Sequence, residues 1–353
     1  MKTGIINDHL KRNNLDLLRF FFAFQVMLIH LSQELSSDLM GFLADIVKYF
    51  PGVPAFFFLS GFLIYASYTR HQNLRQYFTN RFYRLYPGLI FATLGGLGLA
   101  IFGNLTISGQ LEDLDIYVKW VLAQLSLGQG WNPDEFRMIG NGVINGVLWT
   151  ITVELIFYCF VPMIVWIENK IKHFVFYISL ISFAIFCSED IFLNLFSIGQ
   201  ISFFKYLELT PIVWGWMFGL GILSFKYFRY LGIIFKSGYW FILPILGLIL
   251  IDIDFDILFK TVGNRLGLIY FLLYSGLILY LGFGIRAFPI KNDLSYSLYI
   301  WHMLIINFLI LIDVKNIFLA LILTFSVACF SWFYIEKPCL KLKKLSIRSA
   351  TNE

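Results

Sequence analysis

The sequence predicts an all-α polytopic membrane protein of about ten transmembrane helices with both termini in the cytoplasm. Three observations predict it. Hydrophobic residues make up 59% of the 353-residue chain and charged residues only 14%, with a mean hydropathy of +0.75, a balance foreign to a water-soluble globule. The apolar residues fall in windows of roughly 20, the length that crosses a bilayer as a helix. With ten spans, 20 of the 27 Lys and Arg lie on the side that holds the termini, the bias that marks cytoplasmic loops.

The first span, 15–35, is followed by "SQELSSD" and no small-residue cleavage pattern, so it reads as a retained helix and not a removed signal peptide. The second, 50–69, is an aromatic run broken by Ser60 and Gly61. The third, 85–103, follows a cationic stretch at 70–84 that reads as a cytoplasmic loop. Residues 104–144 read as an outside segment. Its "IYVKWVLAQLSLGQGWNPDEF" is too mixed to span and suits the interface, with Trp120 and Trp131 at headgroup depth. The fourth span is 145–167 and the fifth, 173–188, is short; then come 205–225, a short 238–251, 266–285, 294–312 and 316–335. The last ends in "FYIEKPCLK", where Pro338 reads as a helix stop. Glu112, Asp113, Asp115, Asp134, Glu135, Glu189, Asp190, Asp252, Asp254 and Asp256 all fall on the Lys/Arg-poor side.

The chain therefore reads as one integral-membrane domain over 1–353, with its core at 15–338 and no fused extramembrane domain. The net charge of +5 and pI near 8.9 are topology signals, and no nucleic-acid partner is expected. Cys159, Cys187, Cys329 and Cys339 have no paired spacing, so neither a disulfide framework nor a metal site is expected.

Against this apolar background the polar residues within spans stand out, because charge inside lipid is costly. Arg19 and His30 are eleven residues apart, which places them on one helix face roughly 16 Å apart along the axis. Asp16 shares that stripe. Arg81 and Arg84 are at i and i+3 in "RQYFTNRFYRLYPG", neighbours on one face if the stretch is helical, and their forks suit phosphate oxygens. Glu154 lies about 13 Å into the fourth span with Thr150 and Tyr158 one turn to either side. Ser295, Tyr299 and His302 fall within about 60° on the ninth. Plainer roles exist for each: Arg19 reaching the headgroups, His30 bonding a neighbouring helix, Ser60 with Gly61 as a close-packing point, Arg81 and Arg84 as topology or lipid contacts, Glu336 paired at the interface.

"LDLLRFFFAFQVMLIH", "FFFLSGFLI", "RFYRLYP", "LWTITVELIFY", "SYSLYIWH" and "YIEKP", in this order between residues 15 and 338, closely resemble the motifs of the acyltransferase family 3 membrane proteins. Thr150 stands where the family has Ser, and Cys339 where it has Phe. The resemblance implies a ten-helix bundle in the bacterial inner membrane. It implies transfer of an acyl group, most often acetyl from acetyl-CoA, to a hydroxyl of a cell-envelope polysaccharide or glycolipid. On that reading Arg19, Arg81, Arg84 and Asp16 serve the acyl-CoA, His30 is the general base, and Glu154 and His302 join it in the catalytic set. Ser60, Tyr158, Tyr299 and Glu336 support them. Asp16 is about 21 Å from His30 by helical rise, so whatever orients the imidazole comes from another helix, with Glu154, Tyr158, Ser60 and His302 as candidates. Two other classes fit the same residues: a transporter or flippase with His30 and Glu154 as a proton relay, and a non-catalytic lipid-binding or assembly protein that needs the arginines but not His30.

Overall fold

The computed structural model describes residues 13–35, 38–196, 206–232, 237–251 and 256–342. The termini, whose Lys and Arg enter the charge asymmetry, and Asp252 and Asp254 lie outside the described residues. Among the described residues every regular element is helical: α1 Leu15–Leu35, α2 Asp38–Val47, α3 Gly52–His71, α4 Leu74–Ile107, α5 Leu114–Gln124, α6 Trp149–Glu168, α7 Phe174–Phe196, α8 Pro211–Lys226, α9 Tyr239–Ile251, α10 Leu268–Leu279, α11 Ser295–Leu311 and α12 Ile317–Ser331, with short single turns besides. Among the described residues, six helical stretches are long and apolar enough to cross a membrane, by length and composition: Leu15–Leu35, Gly41–Arg70, Leu74–Ile107, Trp149–Glu168, Tyr206–Lys226 and Ile317–Leu342. Four shorter apolar helices accompany them, at Phe174–Ser188, Tyr239–Ile251, Leu268–Gly284 and Ser295–Leu311.

The chain packs as two compact units, one of residues 1–26, 45–70 and 160–293, the other of 27–44, 71–159 and 294–353. In the first unit α7 packs on α8 and α9 on α10. There α3 and α8 meet backbone to backbone. A Cβ on Gly61 would sit 2.0 Å from the Phe218 carbonyl oxygen, and one on Gly221 would sit 2.0 Å from that of Phe58, so only glycine fits either position. The close-packing role of the Ser60–Gly61 pair is thus visible in the backbone. Around it Phe62 meets Phe225, Phe228 and Phe283, with ring centroids 5.4–5.7 Å apart.

In the second unit α11 lies against α4 and α12. The cationic stretch read as loop is instead the opening of α4. Asn73 caps that helix by accepting the Gln76 N–H at 2.9 Å, and charge that keeps a segment out of lipid does not keep it out of a helix. The 34 residues of α4 run roughly 51 Å, well beyond the about 30 Å hydrocarbon core. Nor does Pro338 stop the last helix. The Lys337 N–H donates to the Trp332 carbonyl in a π turn over Trp332–Glu336, and helix continues to Leu342. The widened turn ahead of the proline accommodates its missing donor and its bulky ring.

Candidate active site

Polar side chains are spaced along α11 in the second unit and point from it in several directions. Helical rise spaces Ser297, Tyr299, His302 and Asn307 over roughly 15 Å, and the first three meet a partner from a different helical segment. Ser297 Oγ donates to Glu336 Oε1 at 2.6 Å, and Ser331 Oγ donates to the same oxygen at 2.8 Å. Glu336, 2% exposed, is thus held by two hydroxyls, and the π turn places it. The helix α4 approaches closely here: a Cβ on Gly88 would lie 2.9 Å from the Tyr296 ring and 3.2 Å from the Glu336 carboxyl.

Two residues further, Thr150 of α6 meets Tyr299, 2.8 Å between hydroxyl oxygens. Thr150 Oγ1 also donates to the Val147 carbonyl at 3.0 Å. A hydroxyl has one hydrogen, so Tyr299 is the donor toward Thr150. Tyr158 OH donates to Glu154 Oε1 at 2.5 Å, and the Arg81 guanidinium lies over the rings of Tyr77 and Tyr158 at 5.7 and 5.4 Å. Tyr77 OH in turn donates to the Tyr158 carbonyl. Arg81 is therefore seated between two aromatic faces, with Arg84 one turn on in the same helix.

Further along α11, His30 of α1 meets His302. Their rings are nearly parallel, 15° apart with centroids at 5.1 Å, and His30 Nδ1 is 2.9 Å from His302 Nε2. The partners fix the tautomers of the neutral pair. The Leu298 carbonyl only accepts, so His302 Nδ1 carries the hydrogen it donates there at 3.2 Å. His302 Nε2 is then bare and accepts from His30 Nδ1–H. His30 Nε2 keeps its lone pair. Of the candidates for orienting His30, it is His302 that lies within hydrogen-bond distance.

The remaining sequence candidates sit in the first unit. Asp16 and Arg19 form an i,i+3 ion pair at 3.8 Å, and Ser60 is buried in α3. Arg19 and His30 lie on one continuous helix, Leu15–Leu35, at the predicted axial spacing. Among the described residues no group of three or more His, Cys, Asp and Glu is arranged to hold a metal ion.

Sequence reasoning missed Glu34, Asn141 and Asn307. Asn307 is fully buried, and its side chain binds the backbone of Asn141, Val143 and Ile144; Asn141 donates to Glu34 Oε1 at 3.0 Å. The signal was a lone Asn inside the apolar "IINFLIL" together with "IGNGVING", a turn-forming run rich in Gly and Asn.

Comparison with known proteins adds to this geometry. The family described as "Acyltransferase domain" matches residues 12–336. Nodulation protein 10 of Rhizobium leguminosarum bv. viciae is 29% identical over 359 residues, covering 96% of this chain and 97% of the relative. No solved structure matches significantly.

Proposed function

The chain belongs to the acyltransferase family 3, a membrane enzyme with several apolar helices, and from that premise we propose that it moves an acetyl group from cytoplasmic acetyl-CoA to a hydroxyl of an envelope polysaccharide or glycolipid at the bacterial inner membrane, with His30 as general base. The observation that carries the reading is the His30–His302 contact, which leaves His30 Nε2 as a bare nitrogen held in a fixed direction.

The chemistry balances around that nitrogen. As the acceptor oxygen attacks the thioester carbonyl carbon, its hydrogen passes to His30 Nε2. The resulting imidazolium keeps Nδ1–H on the lone pair of His302, which stabilises the cation and holds the ring, the task a carboxylate performs in a hydrolase triad. The tetrahedral intermediate collapses with loss of the C–S bond, and the departing thiolate takes the proton from His30 Nε2. The products are an ester and free CoA thiol. Arg81 and Arg84 anchor the anionic nucleotide of the donor. Arg19, paired with Asp16 on α1, is a further guanidinium that the resemblance assigns to the donor. Glu154 and Tyr158 position Arg81, while Tyr299 and Glu336 fix α11 so that His302 meets His30. The apolar helices imply the bilayer as a partner and a multi-pass protein.

The test supplies radiolabelled acetyl-CoA and envelope lipid acceptors to the purified chain in liposomes. Wild type is expected to transfer label, His30→Ala to lose transfer, and Arg81→Ala to show a raised KM for acetyl-CoA. Transfer unaffected by His30→Ala would overturn the mechanism. Absence of thiol release with every acceptor would favour the proton-relay transporter.

A further inference from the structure

We infer that the Glu34–Asn141 pair is the acceptor subsite, a carboxylate and a carboxamide arranged to bind neighbouring hydroxyls of a pyranose; the inference rests on the transfer reading above. The two helices that carry the imidazoles both lead to it. Glu34 follows His30 by four residues on α1, so the two stand on one face about 6 Å apart at Cβ. Asn307 follows His302 by five residues on α11, roughly 7.5 Å along the axis. Its Oδ1 accepts the Asn141 N–H at 2.9 Å, and its Nδ2 donates to the carbonyls of Val143 and Ile144 at 2.8 and 3.1 Å. The loop that carries Asn141 is therefore fastened about one turn beyond the imidazole pair.

The loop is built to hold one shape. Asn132 accepts the Ile144 N–H and donates to the Gly142 carbonyl, both at 3.2 Å, and Asn145 donates to the Ile300 carbonyl at 2.9 Å. Gly140 has φ +59°, and a Cβ there would come within 2.3 Å of Asn307 Oδ1, so any other residue would unseat the anchor. Asn141 is held at both ends: its Oδ1 takes the Val143 N–H at 3.2 Å and its Nδ2 holds Glu34, which leaves a second lone pair and a second N–H for hydroxyls. The outcome is a carboxylate fixed in direction on a partly exposed face, one turn from the proposed base. Carboxylate oxygens offer several lone-pair directions and accept from two hydroxyls at once, which suits the vicinal diols of a sugar. A site that bonds several hydroxyls discriminates against an alcohol that has one.

The test uses the full chain in lipid nanodiscs, radiolabelled acetyl-CoA, and as acceptors methyl glucoside, methyl galactoside, methyl N-acetylglucosaminide and propan-1-ol. Wild type is expected to prefer at least one pyranoside over propan-1-ol. Glu34→Gln and Asn141→Ala are each expected to lower kcat/KM for that pyranoside about tenfold or more, through KM, and to lower the pyranoside-to-propanol ratio equally, without raising KM for acetyl-CoA. Glu34→Asp, which keeps the charge, is expected to lose less than Glu34→Gln. An equal fall with both acceptors, or a raised KM for acetyl-CoA, would show the pair acting on His30 or on the fold and would overturn the assignment. So would a wild type without preference for pyranosides. Wild type that neither transfers label nor releases thiol with any acceptor would instead refute the transfer reading, and this inference with it.

Discussion

The interiors of the two units use polar groups differently. In the first, buried hydroxyls and amides end on backbone: Tyr270 and Tyr274 donate to the carbonyls of Tyr49 and Pro51, Ser182 to that of Ile212, and Asn14 to those of Leu281 and Arg286. Its ion pairs include Glu168 with Lys226, at the last residues of α6 and α8. In the second, where Tyr77, Asn145 and Asn307 likewise end on backbone, side chains also bond side chains: His30 with His302, Thr150 with Tyr299, Ser297 and Ser331 with Glu336, Thr152 with Gln129. A backbone acceptor is fixed by the helix and serves only to hold. A side-chain partner changes its protonation or its rotamer, so it serves a reaction as well. On the proposed function, the difference assigns the chemistry to the second unit and the scaffolding to the first.

The sharpest break of that comparison is His30→Ala, expected to lower acyl transfer by about a thousandfold, within the usual range for a lost general base, with little change in thermal stability. A loss below tenfold would remove the second unit's claim to the chemistry. Next is His302→Leu, which takes the acceptor from His30 Nδ1–H and frees the ring to choose the wrong tautomer; a loss of about a hundredfold is expected. His302→Gln retains an acceptor oxygen and is expected to recover part of that loss. Equal loss in both variants, read from initial rates at saturating donor, would mean that His302 merely fills space.

Much of this arrangement was legible beforehand because it follows one helix. The spacing of Arg19 and His30 survives because α1 is continuous, and the i,i+3 relation of Arg81 and Arg84 holds because their stretch is helical. What could not be read is pairing between helices. Periodicity assigns His30 and His302 each to a face but says nothing about which faces meet. The same gap hid Asn141 and Glu34, whose contact joins residues 107 apart. The Pro338 stop failed for a local reason: the π turn at Trp332–Glu336 has no signature in hydropathy, and it lets the helix pass the proline.

A smaller effect tests the first unit from the other side. Gly61→Ala places a methyl against the Phe218 carbonyl, and backbone yields less readily than a side chain, so a cost of about 1–3 kcal/mol is expected. The thermal midpoint of the detergent-solubilised protein should fall by several degrees while KM for donor and acceptor stays as in wild type. A changed KM at unchanged stability would give the first unit a part in binding and blur the division.

The finest test makes the same chemical change in both units. Tyr274 and Tyr299 are 2% and 5% exposed, and each hydroxyl has one partner named above, a carbonyl for Tyr274 and Thr150 for Tyr299. Removing either hydroxyl costs the bond named for it, about 0.6 kcal/mol in a membrane protein, so stability alone should not tell Tyr274→Phe from Tyr299→Phe. Activity should. Tyr299 is three residues from His302 on α11, with its ring centroid 6.0 Å from the imidazole, and its bond to Thr150 fixes α11 against α6 just where His302 reaches His30. Tyr299→Phe is therefore expected to lower kcat about threefold, the rate equivalent of that single bond, with Tyr274→Phe unchanged. If both variants lose rate together, the network is one mechanical whole, and the contrast between holding and reacting groups does not follow the boundary between the units.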